Sequence, residues 1–304
     1  MYEYSAYCLN FSSEIPLPEC CASEGGKPDF AVVKKKLAPP PLEATNIHRR
    51  GIMAQTATGD DGSLWLHWEG VATFRAFEGR FLEVDSFTDE AGVLSLFTVS
   101  EAIGLILFQR DHFLLHASAV RVGDAAWVFM GAPGAGKSTT SAGFVKAGCP
   151  LLSDDLTAIT FDEHKRPLVS PAYPQLKIWE KSVVGLGYHT DELSPVSEGI
   201  NKFALAPRDN FVPEAVPLAR MYFIHNDEHL PAFRIMSPSE LPMETLRHFP
   251  LPNQLLSPFV LQQLFKQSIS CAAASEAVLI RRPDGFRALE AWIQDCLSSS
   301  KSLL

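Results

Sequence analysis

The chain has 304 residues, more than the roughly 100–150 of a common single domain, so one large or two ordinary domains is the expectation. Hydrophobic residues make up 46% and charged residues 20%, with 20 Phe, which supplies a full core and excludes wholesale disorder. Lys and Arg total 26 against 35 Asp and Glu, a formal net charge of −9, so non-specific nucleic-acid binding, which needs a basic face, is excluded as a leading function.

Residues 1–86 read as short strands separated by turn clusters. Phe30–Val33, Ser63–Trp68, Ala72–Phe77 and Phe81–Val84 are the candidates, and the last three, jointed at Gly70 and Gly79, suggest a β-meander. Lys36–Leu42, with its triple proline, reads as a turn or linker. From Thr88 to Arg110 the apolar spacing becomes helical, through Val93, Leu96, Phe97, Ile103, Leu107 and Phe108. Asp89 and Glu90 at its front and Arg110 at its back suit the helix dipole. This helix is expected to close a small β-rich domain over residues 1–110.

The apolar stretch Leu96–Phe108 is interrupted by Glu101 and is too short to span a bilayer. The start, Met-Tyr-Glu-Tyr-Ser, lacks the basic and apolar regions of a signal peptide. Cys8, Cys20, Cys21, Cys149, Cys271 and Cys296 form no CxxC pair and read as scattered thiols of a reducing compartment. A cytoplasmic protein without membrane or nucleic-acid partners is expected.

From residue 112 the pattern changes. His112–Arg121 and Ala125–Met130 are dense apolar runs of strand length, with Gly123-Asp124 between them as a two-residue hairpin turn. A helix pattern follows Ser138 and ends near Gly148, then a strand over Leu151–Thr160 that is expected to neighbour the strand Ala125–Met130. Ala277–Ile280 and a helix over Gly285–Leu297 close the chain. This alternation predicts an α/β nucleotide-binding domain over residues 111–304.

Gly131-Ala132-Pro133-Gly134-Ala135-Gly136-Lys137-Ser138 matches the pattern G-x-x-x-x-G-K-[ST] in full, after an apolar strand and before a helix. Glycines let backbone N–H groups turn inward around a polyphosphate, and the helix N-terminus adds partial positive charge. Lys137 then reaches the β/γ oxygens and Ser138 holds Mg²⁺, with Thr139 completing the run. If Val122 pairs with Ala125, the ladder brings His116 opposite Gly131, at the phosphate end of the sheet. A His in such an apolar run also suits an ordinary core position. Asp154-Asp155 ends a strand 17 residues after Lys137, where a carboxylate usually meets the metal or its waters, although a polar turn after a buried strand reads the same way. Successive strand side chains point to opposite faces, so the two acids need different roles or a distorted strand end.

His116 fifteen residues before Gly131, the loop, the helix ending in Lys146-Ala-Gly148 and the acid pair together resemble the catalytic core of HPr kinase/phosphorylase. That family's core in turn is similar to ATP-dependent phosphoenolpyruvate carboxykinase. The resemblance implies an α/β fold with a P-loop kinase core preceded by the small β-rich domain. It implies ATP and Mg²⁺ as cofactors and transfer to a serine or threonine hydroxyl of a peptide or small protein. Asp154 would be the general base, with His116 standing beside it. Asp155, like Ser138, would lie on the metal side, and Lys137 on the phosphates. Homo-oligomers are known in the family.

Two positions depart from the family. Lys177, in Pro174-Gln-Leu-Lys177-Ile-Trp179-Glu180, stands where a carboxylate is expected; either it contacts phosphate instead, or Glu180 compensates, or it is an ordinary solvated charge. Lys202 and Arg208 are candidates for the family's basic loop. The first 110 residues look like the front part of HPr-kinase-like proteins, some of which phosphorylate ribosomally made peptides such as lasso-peptide precursors. The rival readings are a small-molecule kinase on the same core and a regulatory module that senses the nucleotide without turning it over.

Overall fold

The computed structural model, which describes residues 1–189, 193–196 and 201–300, is a mixed α/β architecture with three sheets. Nine strands make the first sheet: β1 (Tyr2–Ala6), β2 (Leu9–Ser13), β3 (Cys21–Ala22), β4 (Phe30–Lys34), β5 (Glu43–Arg49), β6 (Ile52–Thr58), β7 (Leu64–Trp68), β8 (Ala72–Phe77) and β9 (Phe81–Ser86). Their order is β3-β1-β2-β4-β9-β8-β7-β6-β5. The meander expected around Gly70 and Gly79 is present as antiparallel β7, β8 and β9, and β6 and β5 extend it. Residues 36–41 carry neither strand nor helix, as the triple proline dictates.

One face of this sheet is covered by α1 (Ala91–Phe97) and α2 (Ile103–Gln109). The single helix expected over Thr88–Arg110 is two pieces joined by an irregular turn at Thr98–Ala102, where Ser100 leaves helical angles. Phe97, Leu105 and Ile106 are fully buried in one core with Trp68 and Phe74. Trp68 meets Phe97 edge-on at 5.1 Å between ring centroids, a contact worth about 0.5–1.5 kcal/mol beyond its area burial. By length and composition Ala91–Gln109 is apolar enough to cross a membrane, yet 78% of its most apolar window lies buried inside the protein. The same core takes in Leu114, Leu156, Ala158, Tyr173 and Leu251 from further along the chain. The N-terminal layer therefore packs directly on the segment that carries the acid pair.

The rest of the chain supplies β10 (Phe113–Leu115), β11 (Ser118–Val122), β12 (Ala125–Met130), α3 (Lys137–Lys146), β13 (Leu151–Ser153), β14 (Thr157–Phe161), β15 (Pro167–Ser170), β16 (Leu176–Trp179) and α4 (Glu180–Gly185). It continues with β17 (Ser194–Pro195), β18 (Lys202–Leu205), β19 (Val216–His225), β20 (Phe233–Ile235), α5 (Leu241–Leu246), α6 (Pro258–Ala274), β21 (Glu276–Arg281) and α7 (Gly285–Ser300). The second sheet runs β10-β14-β15-β19-β12-β11-β13, with β21 on β19 and β20 on β21. Parallel β12, β19 and β21 form its centre, and Val128, Phe129 and Met130 are wholly buried, as suits a parallel strand covered on both faces. On one face Phe129 stacks between Phe144 of α3 and Tyr222 of β19, at 5.3 and 5.4 Å. The other face packs on α5 and α6 through Leu241, Leu264 and Cys271. A third, three-stranded sheet, β16-β18-β17, stands beside α3 and α4.

Three expectations need correction. His112–Arg121 is not one strand: β10 pairs β14, whereas β11 pairs β12 and β13. Leu151–Thr160 likewise divides into β13 and β14 at Asp154-Asp155, where Asp155 takes a left-handed φ of 72°. And β13 does not neighbour β12, because the hairpin return strand β11 lies between them. Both split runs are buried on both sides of the break, so hydrophobicity carries no trace of it.

Candidate active site

The hairpin turn at Gly123-Asp124 sets Val122 against Ala125, and the ladder runs in that register to Ser118–Phe129. Beyond Ser118 the strand bends away, and His116 is held instead by its backbone N–H donating to His248 O at 2.6 Å. The glycine loop 131–136 leaves the end of β12 and enters α3 at Lys137. At Gly131 a Cβ would lie 2.4 Å from Ile224 O of β19, so only glycine fits against that backbone. Gly136 has φ +103°, a conformation that side chains resist. Lys137 is buried and its Nζ donates to Gly131 O at 2.8 Å. Burial pulls its pKa down, opposed by Asp155 and Asp154.

Asp154 is 5% exposed. Its Oδ1 accepts from Ser118 Oγ at 2.6 Å and Ser138 Oγ at 2.9 Å, and its Oδ2 from the Lys177 backbone N–H at 2.9 Å. Burial and the neighbouring Asp155 push its pKa up, against these donors. Asp155 leaves on the opposite side and is part-exposed. His116 Nδ1 lies 3.0 Å from Asp155 O and 3.6 Å from its Oδ1. Arg49 Nη2 of β5 lies 3.1 Å from its Oδ2. Burial opposes the charge of Asp155, but Arg49, His116 and Lys177 outweigh it and hold the carboxyl well below the usual carboxylate range. The expected placement of His116 beside Asp154 is therefore corrected: the imidazole stands beside Asp155. The left-handed turn causes this, since it sends the two side chains into different surroundings.

A cavity of about 670 Å³ joins these parts. Its walls include His116, Pro133, Gly134, Gly136, Lys137, Ser138, Thr139, Asp155, Lys177 and Lys202. Gly131, Ala132 and Ala135 shape the loop without lining the cavity, Ala135 N–H bonding Ala132 O at 3.0 Å. Arg208 is not brought there: it sits in a turn with Nη2 donating to Pro18 O at 2.9 Å, against the N-terminal segment. Lys202 stands 5.0 Å over the ring of Trp179, which is 54% exposed at the cavity wall.

Two residues were not singled out in sequence. Arg282 lines the cavity and lies along the loop, where a Cβ on Gly136 would come within 2.8 Å of its Cδ. Its Nε is buried with no hydrogen-bond partner among the described residues. Its position just past a strand parallel to the loop strand is the signal that finds it, since ligands gather at that end of such sheets. Arg49 lies 106 residues from Asp155 in sequence, and nothing local points to it.

Among the described residues no group of three or more His, Cys, Asp or Glu is arranged to hold a metal by protein alone. The donor set Ser138 Oγ and Asp154 Oδ1, already 2.9 Å apart, fits Mg²⁺, which takes few protein oxygens and completes its shell with water and phosphate.

No family model matches the sequence, and no curated protein matches it. Among solved structures the HPr(Ser) kinase/phosphatase from Coxiella burnetii is similar over 62% of this chain and 95% of its own, at 12% identity and a TM-score of 0.34. So distant a likeness carries no functional argument, which rests on the cavity itself.

Proposed function

We propose that the chain is an ATP-dependent kinase with a P-loop core over residues 111–304, acting with the β-rich layer 1–110 on a serine or threonine hydroxyl of a peptide or small protein. One observation carries this reading: Lys137, Ser138 and Arg282 line the same cavity as the Asp155–His116 pair. A glycine-rich loop with cations beside it for phosphate and a carboxylate beside an imidazole are the two halves of a phosphoryl-transfer site.

In this reading the loop amides and Lys137 hold the β- and γ-phosphates, with Arg282 and Lys177 as further cations. Ser138 and Asp154 would hold Mg²⁺, which neutralises charge on the phosphates when bound. The geometry favours exchanging the roles that the family resemblance implies for the two acids. Asp154 already accepts three hydrogen bonds and meets the cavity only through Ser138 and Lys177, whereas Asp155 lines it. Asp155 orients the acceptor hydroxyl and takes its proton as the new O–P bond forms. The bond from Pγ to the bridging oxygen breaks, and ADP leaves. A carboxylate held strongly ionised suits this, because the loose transition state needs orientation more than basicity. His116 flanks it, with Nδ1 3.6 Å from Oδ1.

The test is transfer of labelled γ-phosphate from Mg-ATP to a mixture of Ser- and Thr-containing peptides. Loss of transfer in Asp155→Asn with Mg-ATP affinity retained supports the assignment. Full transfer by that variant excludes it.

A further inference from the structure

We propose that Arg49, at the end of β5 in the N-terminal sheet, is a positioning residue for the transfer reaction: braced by Glu101, it fixes the Asp155 carboxylate in the cavity wall. This inference rests on the kinase reading, and it makes the N-terminal layer part of the active site.

The argument starts from the turn at residues 154–155. Asp154 faces into the second sheet and is satisfied there by donors from β11, α3 and the backbone of β16. Asp155 faces the other way, where Arg49 meets its Oδ2 at 3.1 Å. Arg49 is 7% exposed, and its Nε and Nη2 grip the two oxygens of Glu101 at 3.0 and 2.9 Å. A guanidinium is a rigid planar fork, so bidentate binding to one carboxylate fixes the direction in which Nη2 points at the next. Glu101 sits in the irregular turn between α1 and α2, so the brace belongs wholly to the N-terminal layer.

The layer grips the same segment by other means. Leu156 is buried in the N-terminal core, and Tyr7 Oη donates to Leu156 O at 3.4 Å. Tyr7 N–H donates to Pro171 O at 2.7 Å. Asp155 holds a left-handed backbone that non-glycine residues avoid, so the turn persists only because its surroundings fix it. An ion pair serving stability alone has no need to end on a carboxylate that lines the cavity. Here Oδ2 is taken by Arg49 while Oδ1 lies toward His116, which leaves the carboxylate one defined orientation.

The experiment uses the full chain. Arg49→Gln, Arg49→Lys and Glu101→Gln are compared with wild type for Mg-ATP affinity, thermal unfolding, and kcat and KM in transfer to the Ser/Thr peptide mixture. Misplacing a reacting group by about 1 Å costs on the order of a hundredfold. Arg49→Gln is therefore expected to lower kcat by about tenfold or more with Mg-ATP affinity and KM nearly unmoved. Arg49→Lys restores part of the loss, and Glu101→Gln gives a smaller fall of the same kind. Unchanged kcat in a folded Arg49→Gln, with wild type active, overturns the positioning role alone. A wild-type chain that transfers no phosphate overturns the kinase reading and this role with it. Should Arg49→Gln not fold, Arg49→Lys and Glu101→Gln decide by the same split. Amide exchange at Asp155 and Leu156 gives a readout without turnover: faster exchange in Arg49→Lys supports the clamp, and unchanged exchange overturns it.

Discussion

Ser138 donates a hydrogen bond to Asp154 across 2.9 Å, tying the first turn of the helix after the glycine loop to the end of β13. Ser118 reaches the same oxygen from β11, so three elements of the second sheet's neighbourhood converge on one buried carboxylate. Asp154→Asn replaces an acceptor-only group by one that must point an NH₂ at some of these donors. The variant is expected to lose about 1–3 kcal/mol of stability, the cost of leaving buried polar groups mismatched. If Asp154 holds the metal as proposed, the variant is also expected to bind ATP equally with and without Mg²⁺. Denaturant unfolding and ATP titrations at both metal conditions measure the two effects. Mg²⁺-enhanced binding in the variant removes Asp154 from the metal side.

Lys137 is buried with its ammonium on Gly131 O, so its cation is already in place at the loop. Charge-assisted hydrogen bonds contribute about 1.5–3 kcal/mol each. Lys137→Ala is expected to weaken Mg-ATP binding by about ten- to a hundredfold at least, while the fold survives. Calorimetric titration checks this, and wild-type affinity in the variant refutes the loop as a phosphate site.

Gly131 packs against the Ile224 carbonyl, which belongs to a central strand and cannot retreat. Gly131→Ala is expected to displace the loop rather than the sheet. Thermal stability then falls modestly, by about 1–3 kcal/mol as for other overpacked sites, and Mg-ATP affinity falls with it. A variant that keeps wild-type affinity shows that the loop tolerates the shift.

Arg282 lies along Gly136 with a buried, unpartnered Nε. A buried donor without an acceptor is costly unless a ligand supplies one. Arg282→Gln is expected to weaken ATP and ADP about tenfold or more and to leave adenosine binding unchanged, because only phosphate oxygens fill the missing acceptor role. A parallel loss for adenosine places Arg282 in the fold and not on the phosphates.

How far the sequence reaches is clear from individual residues. The Gly123-Asp124 turn fixes the hairpin register, and the ladder follows it to Ser118–Phe129 because local turn chemistry decides pairing. The meander was legible for the same reason, being set by short-range turn pattern. The breaks at His116-Ala117 and Asp154-Asp155 were not, since buried apolar residues continue on both sides. Nor was the partner of His116, because a left-handed residue between two strands redirects a side chain without any compositional sign. Arg49 and Glu101 are brought to Asp155 by packing of the first core on Leu156, a long-range contact invisible in local spacing. Arg208 shows the converse: a basic residue in a promising stretch that packing turns toward Pro18.

His248 links the site to acid stability. Its backbone carbonyl holds His116 at 2.6 Å, and its ring packs at 6.0 Å from Phe223. Burial first, then the charges of Lys137, His116 and Arg247, push the ring pKa from 6.5 down to about 4. The unfolded chain therefore binds the proton more readily than the folded one between these values. Stability from this residue is complete above about pH 6.5 and is lost progressively as the pH falls toward about 4. Discounted for the ring's partial exposure, the loss is on the order of 2–3 kcal/mol. Urea midpoints at pH 7 and near pH 4.5 are expected to differ more in wild type than in His248→Gln, which cannot take up the proton. Carboxylates titrate in both proteins and cancel in that comparison. Equal pH slopes in the two proteins remove His248 as the source.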